Sequence, residues 1–433
     1  MLDFLGLLLL LTPFLLLSRF SDKRLGFAYI LSGMLFLHLF VAIFLQTFSL
    51  FTYGIVFIIH GVIFAGVVSL TKWTELYTSV RNISESIKKI DWIFFILIPV
   101  ALFSLLSVHY NYSGQFSTLS SPEYQNAENK VYPYPYYSDE WYAVSLIKDS
   151  TRTGSLPLNN PLSQEDSFVN LEFPFHSLLA EIMLLLKLDP LMHYTIISAF
   201  VNSIIILLVY TLARVLGVPR AIAGIAGLGV LYITSGANLP GIWNLIPINL
   251  GIVSMLLGLI LLAKDELKAF LAVSLLTLLL YPPLVIFITV ALCAYFLAKK
   301  GLSRDMALPI LKYFSLVILA ALILTSFFVF NFSDFYKGGS YSEYISSKIF
   351  YESFTGEFKP QYAIYNVVPI LFLPFILIGL FHSYRKCRTM ILLPMKHRHG
   401  GHYGLHGSNR KDARIPPIKP TLQSALSVCA KAL

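Results

Sequence analysis

Tyr136-Tyr137-Ser138-Asp139-Glu140-Trp141-Tyr142-Ala143-Val144 is a polar stretch set between two long series of apolar segments. On either side of it, uncharged runs of about 20 residues recur, the length an α-helix needs to cross hydrocarbon. The 433-residue chain is 56% hydrophobic and 13% charged, about half the charged share usual in soluble domains. A closed β-barrel would show short alternating segments instead. The expected fold class is an all-α polytopic membrane protein. Within the quoted stretch, two adjacent carboxylates open an amphipathic helix, and they either do chemistry or cap that helix.

Hydropathy predicts eleven membrane helices, at 2–18, 26–47, 51–70, 90–108, 192–216, 219–236, 242–263, 268–281, 283–298, 309–330 and 366–384. Tyr281-Pro282-Pro283 falls between two short pieces, and proline there turns them into a hairpin with its tip at the far face. Basic residues mark one side. They are Arg19, Lys23 and Arg24, then Lys72, Arg81, Lys88 and Lys89, then Arg214 and Arg220, Lys264 and Lys268, Lys299, Lys300 and Arg304, and Arg385, Lys386 and Arg388. By the positive-inside rule these ends are cytoplasmic, and the N-terminus is outside. Segment 109–172 holds only Lys130, Lys148 and Arg152 against eight acids, so the Asp139-Glu140 loop faces outward. The expected localisation is a multi-pass cell-membrane protein with a cytoplasmic C-terminus.

Three units follow. Residues 1–89 carry three spans and a cytoplasmic linker. Residues 90–384 form a membrane module with outer loops at 109–189 and 331–365. Residues 385–433 form a basic tail with ten Lys/Arg and one acid, leaving 22 basic and 22 acidic residues elsewhere. The positive charge therefore belongs to the tail and implies no nucleic-acid partner. His397, His399, His402 and His406 among glycines, followed by Pro416-Pro417, read as disordered sequence able to take metal adventitiously. The abrupt change after Met390 is what a frameshift or truncation would leave. Met1 to Leu17 lacks a basic start and a small-residue cleavage site, so it reads as a helix rather than a removable signal. Cys293, Cys387 and Cys429 are scattered and form no disulfide or metal spacing.

In the first outer loop, a helix over 139–152 puts Trp141, Val144 and Ile147 on one side. A second apolar helix over 174–188 is short for a span. It is expected on the outer interface with Glu172, His176 and Glu181 toward water. The predicted spans carry almost no charge, offering His38, His60, His193, Asn202, Asn244 and Asn249. Ion-coupled transporters keep costly buried charges along a path, so this argues against one. Acids in a first turn suit the helix dipole, and Ser138 is a good N-cap, so capping alone accounts for Asp139-Glu140 in isolation. What tips the balance is the order of landmarks. After the pair come Gly154-x-Leu-Pro-Leu-x-x-Pro-Leu162, then Phe173-Pro174-Phe175-His176, then a helix ending Val209-Tyr210-Thr211-Leu212-Ala213-Arg214.

That succession, over Ile90 to Tyr384, resembles the GT-C fold integral membrane glycosyltransferases that use polyprenyl-phosphate sugars. It looks closest to the protein O-mannosyltransferase and aminoarabinose-transferase branch and its prokaryotic relatives. The family usually has one helix before its first large outer loop, whereas this chain has four; it also often continues further. The resemblance implies hexosyl or pentosyl transfer from the lipid phosphosugar to a hydroxyl on a lipid, glycan or protein at the outer membrane face. It would make Asp139 the base, with Glu140 as neighbour or substitute.

Such chemistry needs a base, cations for the leaving phosphate and a lipid-accessible groove. Lys148, Arg152, Lys337 and Lys359 are outward cations suited to phosphate, or else solvated surface charges. His176 and Glu172 are candidates for donor or acceptor binding, and Tyr281 for lining the lipid groove. An interfacial histidine and a plain helix break are the competing accounts of His176 and Tyr281. No Asp-x-Asp pair occurs in the outer loop, so no divalent metal or other cofactor is expected. The alternative function is a non-catalytic transporter or flippase of lipid-linked glycans.

Overall fold

A computed structural model describes residues 4–11, 26–70, 91–111, 135, 138–157, 172–232, 244–300 and 307–331. The predicted segment 366–384, the loop 331–365 beyond Asn331 and the tail 385–433 lie outside the described residues. The described chain is mostly helical and contains no strand. Its α-helices are α1 (Phe4–Leu10), α2 (Gly26–Thr47), α3 (Tyr53–Leu70), α4 (Trp92–Asn111), α5 (Ser138–Thr153) and α6 (Phe173–Leu185). They continue with α7 (Pro190–Val215), α8 (Arg220–Gly229), α9 (Pro247–Ala263), α10 (Leu267–Leu280), α11 (Val285–Lys300) and α12 (Ala307–Asn331). Two stretches among the described residues, Phe27–Thr47 and Pro190–Val215, are long and apolar enough to cross a membrane. The other apolar helices are shorter by this measure.

α7 is the axis of the bundle. It packs against α4, α8 and α9, and α5 crosses its first half. Polar clusters mark its two ends. Near its end, Tyr210 donates to Asp91 Oδ2 at 2.7 Å, and the Arg220 guanidinium stands 3.0 Å from the same oxygen. The start of α4, the end of α7 and the start of α8 therefore meet. Near its beginning, Tyr194 donates to the Leu245 carbonyl at 2.6 Å, just ahead of α9. Sixteen helical residues separate the two tyrosines, about 24 Å at 1.5 Å each. The quoted Asp139-Glu140 stretch meets α7 at the Tyr194 end, opposite the Arg214 and Arg220 end.

The expected hairpin is present. α10 stops at Leu280, Tyr281 takes extended backbone, and Pro282–Leu284 form one 3₁₀ turn before α11. Tyr295 on α11 donates to Asp265 Oδ1 ahead of α10 at 3.1 Å, so the two arms run back along each other. Gly251 makes room for the tip. A Cβ there would stand 2.7 Å from Tyr281 Cβ and 2.9 Å from Leu284 Cδ1. The missing side chain lets the hairpin tip pack directly against the α9 backbone.

α6 departs from the sequence expectation. The helix predicted at the water interface is enclosed by α1, α2, α3 and α5, with eleven of its residues from Phe173 to Leu185 buried. His176 and Glu181, expected toward water, are 1% and 0% exposed. Their partners come from distant parts of the chain, which the local apolar pattern does not register.

Candidate functional site

α5 begins with Ser138 and carries Asp139 and Glu140 in its first turn, as the dipole favours. Its buried Ala143, Val144, Leu146 and Ile147 recur at helical spacing and join the same apolar core as α6. Burying each of the larger side chains contributes roughly 1.5–3 kcal/mol. The far end of α5 is held by the turn between α2 and α3. Gly154 O accepts from Phe51 N–H at 2.9 Å, and Leu156 N–H donates to Gln46 Oε1 at 2.8 Å. Gly154 has φ +89°, and a Cβ on it would meet Ser49 O at 3.1 Å, so this close turn requires glycine.

The two adjacent carboxylates have different surroundings. Asp139 is exposed, whereas Glu140 is 0% exposed. Glu140 Oε1 accepts from Leu245 N–H at 2.8 Å and from Ser198 Oγ at 3.3 Å. Leu245 lies two residues ahead of the first residue of α9, near a helix start whose dipole favours a negative charge. The network extends further. Asn202 Nδ2 donates to Asn244 O at 2.9 Å, and Asn249 Nδ2 donates to Asn202 Oδ1 at 2.9 Å. Asn249 Oδ1 in turn accepts from Ile246 N–H at 3.1 Å, closing the start of α9. Glu140 therefore locks α5, α7 and the segment ahead of α9 together. The charges of Glu140 and Asp139 both bear on the Tyr194 hydroxyl. Glu140 is a buried anchor, whereas Asp139 is exposed.

The remaining predicted residues separate. Lys148 and Arg152 are exposed on α5, and Arg152 is tied to Asp149 Oδ1 at 2.6 Å. Along the helix they stand about 14 Å and 20 Å from Asp139, and 100° per residue turns Lys148 to the opposite side. Neither therefore stands beside the Asp139 carboxylate. Tyr281 is half-buried against Gly251, near the same end of α9 as Leu245. Glu172 is half-buried at the start of α6. His176 is buried with its ring edge-on to Tyr142 of α5, centroids 6.0 Å apart. Lys337 and Lys359 lie outside the described residues.

Sequence reasoning missed Ser198, Tyr194 and Leu245, which hold the site through α7 and a backbone amide. Of the polar residues it noted in the spans, Asn202, Asn244 and Asn249 belong to this network, and His38 and His60 meet Glu181 elsewhere. In comparisons with known proteins, no family model, no curated protein and no solved structure matches the chain.

Proposed function

We propose that this chain is an integral membrane glycosyltransferase that moves a hexosyl or pentosyl group from a polyprenyl-phosphate donor to a hydroxyl acceptor at the outer membrane face. The observation that carries this reading is the division of labour between adjacent carboxylates. Asp139 stands exposed at the first turn of a helix whose next residue, Glu140, is buried and bonded to Leu245 and Ser198. A base needs a fixed direction and access to its substrate, and this arrangement supplies both.

In the proposed step, Asp139 takes the proton of the acceptor hydroxyl. The freed oxygen bonds the anomeric carbon while the carbon–oxygen bond to phosphate breaks, and polyprenyl phosphate leaves with the electron pair. The leaving charge needs a cation, and Lys337 and Lys359 are the candidates proposed for that role. Tyr281 lines the lipid side. The acceptor is a lipid, glycan or protein hydroxyl. The chain sits in the membrane with this end outward.

Transfer from labelled polyprenyl-phosphate sugars by the full chain in proteoliposomes tests the reading. Asp139→Asn is expected to lower transfer by about 10²–10⁴-fold. Undiminished transfer by an inserted Asp139→Asn, Glu140→Gln protein would sink it. A second reading, a transporter or flippase of lipid-linked glycans, is favoured by one observation: Glu181 lies buried among α2, α3 and α6 beside two histidines. Buried ionisable groups of that kind are typical of coupled transport. Glycolipid movement without transfer would favour it.

A further inference from the structure

His38 on α2, His60 on α3 and Glu181 on α6 converge inside the helix cluster, with one ligand atom from each within 4.8 Å of the others. All three are buried, at 3%, 1% and 0% exposure. His38 Nδ1 lies 2.8 Å from Glu181 Oε1, and His60 Nε2 contacts the same oxygen. The two imidazoles stack with centroids 5.1 Å apart. On its other edge, His38 Nε2 lies 3.1 Å from the Leu10 carbonyl. A carbonyl only accepts, so Nε2 carries a hydrogen and, in the neutral ring, Nδ1 presents its lone pair to the carboxylate. A carbonyl behind a histidine ring is the usual outer support of a metal-bound imidazole, fixing which nitrogen is free to bind.

Protons alone match this cluster poorly. Making His38 an imidazolium and letting His60 donate to Oε1 leaves Glu181 Oε2 and His60 Nδ1 buried with no partner among the described residues. A divalent cation between the rings takes His38 Nδ1, His60 Nε2 and the carboxylate, and it gives Oε2 a partner as well. His60 Nδ1 then carries the hydrogen and still has no partner among the described residues, so the gain lies at Glu181 Oε2. Ligand atoms around tetrahedral zinc stand about 3.3 Å apart. The whole set lies within 4.8 Å, and both contacts to Glu181 Oε1 are shorter than that spacing, so the carboxylate draws back slightly to admit the ion. Two imidazoles and one carboxylate, with no thiolate, suit zinc and neighbouring first-row divalent ions.

We infer that His38, His60 and Glu181 form a site for a first-row divalent cation, zinc foremost, that pins α6 to α2 and α3. A fourth position is left for water. The ion clamps the helix against which α5 rests, and it is separate from the Asp139 carboxylate. This inference does not depend on the glycosyltransferase reading.

The test uses the full chain with His397, His399, His402 and His406 all replaced by Ala, so that the tail contributes no ligands. After chelation and dialysis, Zn²⁺ is added and bound metal is counted by elemental analysis, with the thermal midpoint followed in parallel. One equivalent of Zn²⁺ per chain and a raised midpoint are expected. Glu181→Gln and His60→Gln are expected to lose the bound equivalent and the metal-dependent rise. Co²⁺ in place of Zn²⁺ is expected to give visible bands of a four-coordinate ion, absent in either variant. This spectrum reads the site even if the variants are less stable. No bound Zn²⁺, no shift on chelation and no Co²⁺ bands in the folded protein would overturn the inference. Equal metal content in the variants would do the same.

Discussion

Glu140 and Glu181 are both completely buried carboxylates, each reached by groups from two other helices or their flanks, yet they are solvated differently. Glu140 faces a backbone amide at the start of α9 and a serine hydroxyl, so its charge is met by neutral donors and a helix dipole. Glu181 faces two imidazoles, and one of its oxygens has no partner among the described residues. The first arrangement is complete within the chain and positions its neighbour, Asp139. The second is satisfied best by an added cation. A buried acid is thus informative through what opposes it rather than through burial itself.

The comparison breaks most visibly at Glu181. Glu181→Ala takes the carboxylate from buried His38 and His60 and from the cation they are proposed to share, and is expected to cost about 3–5 kcal/mol, the range for leaving a buried charge uncompensated. Thermal unfolding in detergent measures this, and a loss under about 1 kcal/mol would mean that the cluster contributes little to the fold. Glu140→Leu comes next. It leaves the Leu245 N–H buried without an acceptor, expected to cost about 1–3 kcal/mol, while Glu140→Gln keeps an acceptor oxygen and costs less. Equal losses for Leu and Gln would show that the hydrogen bonds to Leu245 and Ser198 are not what Glu140 supplies.

The smallest effect belongs to Asp91, at the opposite end of α7. Burial pushes its pKa up. The Tyr210 hydroxyl, the Ile93 amide and the Arg220 and Arg214 guanidinium groups outweigh that and hold it below the usual carboxylate range. Because the folded pKa is depressed, the stabilisation is present above the unfolded value of about 3.9 and is lost as pH falls through the folded one. At this partly exposed site it is under about 1 kcal/mol. The midpoint difference between the parent and Asp91→Asn is therefore expected to be constant near neutrality and to shrink below about pH 4. A difference that widens on acidification would reverse the sign of this account.

Much of the fold is legible in the sequence because apolar run length and proline placement act locally. The helix expected over 139–152 is Ser138–Thr153, and the break at Tyr281-Pro282-Pro283 falls where the hairpin turns. The placement of α6 was not legible. Its apolar residues with two acids and a histidine read as interfacial, but Glu181 meets His38 and His60 from 143 and 121 positions away. The candidate site was half legible. First-turn acids point to Asp139 and Glu140 together, and only the tertiary structure separates them. The partner that buries Glu140 is a backbone N–H 105 residues distant, and a backbone amide has no signature in a sequence.

In the proposed function, Asp139, beside its buried neighbour Glu140, is the base of a sugar transfer. Single-turnover transfer from a polyprenyl-phosphate sugar, compared between the parent chain and Asp139→Asn at equal membrane insertion, tests it most directly. A fall of about 10²–10⁴-fold with the thermal midpoint unchanged is expected. Transfer at the parent rate by a fully inserted Asp139→Asn protein would contradict it.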